Sequence, residues 1–109
     1  MTLEEVRALV HSQATGNFGA ANGHGAALED MLVPPRIIIV TARDVRNGSI
    51  EDEDLKVWLV GQEKRADGYQ IVLRDDGLYF GLASHGFPKD KYPILVGWYG
   101  NLLTTFLAM

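Results

Sequence analysis

With 109 residues, of which 47% are hydrophobic and 22% charged, the chain has the length and composition of one globular domain covering residues 1–109, and it lies outside the low-hydrophobicity regime of disordered proteins. Its formal charge of −4, with no cluster of Lys and Arg to neutralise phosphates, excludes a nucleic-acid binder. The absence of cysteine excludes a disulfide framework, thiol catalysis and thiolate metal sites.

Thr2 and Glu5 have the spacing of a capping box, and Leu3, Val6 and Val10 follow at helical spacing, which predicts a first helix over residues 2–14. Glu4 and Glu5 stand where a secretory signal would carry basic residues, so a cytoplasmic protein is expected. The Gly- and Asn-rich run from Thr15 to Gly25 is expected to be a connecting loop. Leu28, Met31 and Leu32 suggest a short second helix, ended by Pro34 and Pro35, which remove backbone donors.

Four β-rich runs follow, separated by Asn47-Gly48, Ala66-Asp67-Gly68 and Asp76-Gly77. These are short-hairpin turn residues, and they predict a four-stranded antiparallel meander. A two-residue turn at Asn47-Gly48 pairs Val45 with Ile50, Arg43 with Asp52, Val40 with Leu55 and Ile38 with Val57. A three-residue turn at Ala66–Gly68 carries Leu59 onto the face of Ile71 and Leu73, and the Asp76-Gly77 turn pairs Leu73 with Phe80 and Ile71 with Leu82. One core face results, with the helices packed on it. The opposite face would show Ile37, Ile39, Trp58, Val60, Val72 and Tyr79, more apolar surface than a solvated sheet carries.

The segment Ile94 to Met109 is uncharged but too short to span a bilayer, so no membrane partner is expected. It is read as a C-terminal helix, with a C-terminal β-hairpin at Gly100-Asn101 extending the sheet as the alternative. The fold class is therefore α+β: an N-terminal helix, a short second helix, the meander and the C-terminal segment.

Residues able to do chemistry do not converge in the sequence. His11, His24 and His85 show no ligand spacing to one another, so no metal or cofactor is assigned. Ser84 and His85 are adjacent at the end of an extended run and so point to opposite faces, which argues against a nucleophile and base pair. No catalytic residue is assigned, and the chain is read as a binding or assembly domain rather than an enzyme.

The run Glu51-Asp52-Glu53-Asp54 is a solvated hairpin arm and the candidate surface for a basic protein partner. Self-association as a homodimer is expected through the C-terminal segment or the second sheet face, with Trp58, Val60, Val72 and Phe106 as interface candidates. The competing possibility is a small-ligand protein or enzyme with an aromatic-lined pocket between helices and sheet, formed by Tyr69, Tyr79, His85, Trp98 and Tyr99.

Overall fold

A computed structural model of the chain describes residues 1–65, 68–86 and 88–109. Helix α1 (Leu3–Ala14) opens on Thr2, whose hydroxyl accepts from the Glu5 N–H at 3.1 Å while the Thr2 N–H donates to Glu5 Oε1 at 2.9 Å. Both halves of the capping box are thus present, and two amide groups left over by the helix start are satisfied. The short α2 (Leu28–Met31) runs directly into β1 (Leu32–Arg46). Pro34 and Pro35 do not separate the two. They sit inside β1 where its register against β2 slips between Leu32 and Arg36, the kind of interruption where missing donors are tolerated.

β1 and β2 (Ser49–Gln62) form one long hairpin with every pair expected from its turn, including Val45 with Ile50 and Ile38 with Val57. Asn47 and Gly48 both hold positive φ, 51° and 78°, the primed turn that matches the twist of the strands. β3 (Gln70–Arg74) and β4 (Phe80–Ser84) pair Leu73 with Phe80 and Ile71 with Leu82, again as expected. Ala66 and Asp67 of the middle turn lie outside the described residues.

Two corrections follow. The C-terminal segment is neither one helix nor a hairpin: it forms a fifth strand, β5 (Ile94–Gly100), and then a short helix, α3 (Leu102–Leu107). Gly100 at φ 102° ends the strand, and the Asn101 side chain caps the helix by accepting from the Thr104 N–H at 2.8 Å. Gln13 of α1 adds a second cap, its Oε1 accepting from the Leu102 N–H at 2.7 Å.

The sheet is also not an open four-stranded meander but a closed five-stranded barrel in the order β1-β2-β3-β4-β5. Because each strand reverses direction, an odd number returns to its start in parallel, and the seam is a single parallel bridge between Thr41 and Ile94. The Thr41 N–H donates to the Pro93 carbonyl at 2.8 Å beside it.

Closure explains the second apolar face. One face of all five strands points into the barrel, where Val40, Val57, Val72 and Ala83 are buried with Ile38, Leu55, Leu95 and Trp98 packed round them. The other face of β2, β3 and β4 carries Trp58, Val60, Ile71, Leu73, Phe80 and Leu82, and it is covered by Val6, Val10 and Ala14 of α1 and Leu102 and Phe106 of α3. The expected single core face is thus split between two cores. The cause is a register shift between Leu59 and Gly61, an extra residue that reverses parity. Leu59 consequently pairs with Val72, and Ile71 and Leu73 go to the helix side. No helix among the described residues is long and apolar enough to cross a membrane.

Candidate functional site

The β1–β2 hairpin outruns the barrel. Past the Thr41–Ile94 bridge, β1 has β2 on one side and, among the described residues, no strand paired on the other. The residues beyond form an arm on a molecule measuring 44 × 30 × 22 Å. At its tip Val45 and Ile50 stand opposite each other, each 68% exposed.

The arm has two chemically different faces. On the outer one, Arg43 clamps Asp52 through Nε at 2.9 Å and Nη2 at 3.0 Å and reaches Asp90 at 2.9 Å, tying the arm to the loop before β5. The hydrogen-bonded guanidinium holds the Asp52 carboxyl below its ordinary range, and the two carboxylates raise Arg43 in turn. Asp54 accepts from the Thr41 hydroxyl at 3.0 Å.

The inner face continues the barrel interior outward and helps line a shallow cavity with Ala42, Asp44, Arg46, Glu51 and Glu53. Asp44 pairs with Arg46 at 2.6 Å. Glu51 and Glu53 have no side-chain partner among the described residues. The four-residue acidic run, all of it exposed, therefore divides by function: Asp52 and Asp54 hold the arm together, while Glu51 and Glu53 project their charge outward.

A second cavity, of about 350 Å³, lies where the Gly-rich loop meets the end of β2, lined by His24, Gly25, Ala26, Asp30, Met31, Glu63, Lys64 and Arg65. That loop is ordered. Ala21 bridges to Ala27, Gly25 takes φ 76°, and Asn22 Oδ1 accepts from the His24 and Ala26 amides at 2.9 and 3.2 Å.

His24 sits at the loop tip with Nδ1 3.1 Å from Glu63 Oε2. The Glu63 side chain is only 6% exposed and also accepts from the Tyr69 N–H at 2.9 Å. The His24 ring stacks on Tyr69 with centroids 5.9 Å apart. Gly68 packs so closely on Glu63 that a Cβ there would collide with the Glu63 side chain. A buried carboxylate thus orients an imidazole at a cavity mouth, an arrangement that fixes which ring nitrogen faces outward. In the sequence His24 is the titratable group of a Gly-rich loop and one of three histidines without ligand spacing, and Glu63 carries no signal, because the two are 39 residues apart.

The five aromatic and histidine residues expected to share a pocket are not brought together. Tyr69 stacks on His24, Tyr79 is exposed under the Arg74 guanidinium, and His85 is exposed beyond β4. Trp98, half-buried, packs against the barrel-interior cluster, and Tyr99 packs on the helix side. Trp58, Val60, Val72 and Phe106 all lie buried in this chain's own two cores, so none of them offers a surface to a second copy. Among the described residues no group of three or more His, Asp or Glu side chains could hold a metal ion. Comparison with protein-family models, curated proteins and solved structures finds no match to this chain.

Proposed function

We propose that the chain is a small non-enzymatic binding domain that engages a basic protein partner through the β1–β2 arm. One observation carries this reading: the arm extends past the barrel seam and ends on an exposed Val45–Ile50 pair, with Glu51 and Glu53 on its opposite face having no side-chain partner among the described residues. An apolar tip gives a partner something to bury. The unpaired acids attract positive charge and speed encounter, and the free edge of β1 can accept an added strand.

Self-association belongs to the same proposal but needs a different surface, since two acidic arms repel each other. The outer wall of β1 supplies one at Ile37, which is 57% exposed.

The test is calorimetric titration of extended peptides alternating Lys or Arg with Val or Ile, alongside sedimentation equilibrium at micromolar concentration. Binding should weaken with salt and in the Glu51→Gln, Glu53→Gln double variant, and Ile37→Glu should dissociate the dimer while leaving the monomer folded. A single 12.0 kDa species across the concentration range refutes self-association. Failure of every basic peptide to bind refutes the arm as a docking element.

A further inference from the structure

The cavity at His24 contains charges of both signs that the chain leaves unused. Asp30 lines it from α2, and Lys64 and Arg65 line it from the segment after β2. All three are exposed, and among the described residues none has a side-chain hydrogen bond or ion pair. Asp30 forms no ion pair with Lys64 or Arg65 although all three line the same cavity.

The Glu63 carboxylate, on the same wall, accepts from the Tyr69 N–H at 2.9 Å and lies 3.1 Å from His24 Nδ1. His24 is thereby left with Nε2 unpartnered among the described residues, on a side chain 35% exposed. Met31, buried, supplies apolar lining, and the volume of about 350 Å³ is at the small end of ligand-binding cavities, which run from roughly 300 to 1,000 Å³.

We propose that this cavity binds a small zwitterion of the α-amino-acid class, its ammonium group against Asp30, its carboxylate against Lys64 and Arg65, and a polar contact to His24 Nε2. The fit is one of charge pattern. A simple anion is repelled by Asp30 and a simple cation by the two basic residues, whereas a zwitterion satisfies both. The proposal does not depend on the arm.

The experiment is a thermal-shift and calorimetric screen of the full chain against each of the twenty protein amino acids at up to about 10 mM, since a ligand that prefers the native state must stabilise it. Each hit is repeated as its N-acetyl and its carboxamide derivative. At least one free amino acid should bind saturably, and either derivative should bind about tenfold or more weakly, the loss expected for one charge-assisted hydrogen bond. Asp30→Asn should abolish the discrimination against the N-acetyl form only. The Lys64→Gln, Arg65→Gln pair should abolish discrimination against the carboxamide only. The proposal is overturned if no amino acid binds, if the derivatives bind as well as the parent, or if the folded variants discriminate unchanged. The wild-type screen decides even if a variant misfolds.

Discussion

Gly81→Ala is the sharpest test of how the barrel interior is filled. Gly81 lies in β4 opposite Val72 and Trp98, and a Cβ added there would stand 2.5 Å from the Gly97 carbonyl oxygen and 2.6 Å from Trp98 Cε3. Neither atom can yield freely. The carbonyl is part of the β4–β5 ladder, and the half-buried indole packs against the interior cluster. Overpacking by one methyl group costs about 1–3 kcal/mol, and contact with backbone on one side and a held ring on the other puts this case near 3 kcal/mol. At about 4–8 °C per kcal/mol for a domain of this size, the melting temperature should fall by roughly 12–24 °C. Urea denaturation would measure it, with an unchanged slope confirming that both variants unfold from the same compact state. Gly19→Ala is the control: nothing lies within 4 Å of its added Cβ, and it should shift stability by less than about 0.5 kcal/mol. Adding Trp98→Leu to Gly81→Ala should recover part of the loss, a coupling of about 0.5–3 kcal/mol. A Gly81→Ala protein within about 1 kcal/mol of wild type would refute the packing of Trp98 against the barrel-interior cluster.

Trp58→Glu should unfold the chain outright, since it puts a carboxylate where a side chain is 7% exposed under the helices. Circular dichroism showing a folded Trp58→Glu monomer would contradict that burial. Glu63→Ala should cost about 1–3 kcal/mol by stranding the Tyr69 N–H, and Glu63→Gln should cost less because its amide oxygen can still accept; equal losses in urea denaturation would show that the hydrogen bond is not what matters. Glu5, Asp52 and Asp76 are held below their ordinary values of 4.5, 3.8 and 3.8 by hydrogen bonds from Thr2, Arg43 and Arg74. Their contribution is therefore complete above about pH 5 and lost as pH falls through the lowered values. Melting temperature followed from pH 7 to pH 2 should drop only on that acid limb, and the drop should be smaller in Glu5→Gln.

Local chemistry was legible wherever both partners sit close together in the chain. Thr2 and Glu5 announce the first cap, and Asn47-Gly48 fixes a hairpin register that holds from Val45–Ile50 to Ile38–Val57. The run Val57-Trp58-Leu59-Val60 is apolar on both faces, and that signalled two-sided burial, although a second copy was the wrong covering: the chain covers both faces itself. What could not be read is long-range. The register shift near Val60 has one local mark, Gly61 inside the strand, where a Cβ would stand 3.1 Å from the Ile71 side chain, but the glycine alone does not fix the pairing. The helix reading of residues 94–109 rested on apolar rows at helical spacing; Gly97, Gly100 and the aromatic pair Trp98-Tyr99 suit a strand better once β4 is there to pair with. The same distance hid the cavity, because His24 and Glu63 meet only after the sheet has formed.

The parallel seam has a consequence for how the molecule is made. Its two strands are the first and the last of the sheet, and Thr41 must meet Ile94 across about half of the chain. Contacts of such wide sequence separation form slowly, after nearer ones have been made. Until β5 pairs, the other four strands can assemble only as an open, curved sheet with Val40, Val57, Val72 and Ala83 facing water. Docking of β5 is therefore the event that closes the barrel, and before it the folding chain is most exposed to aggregation.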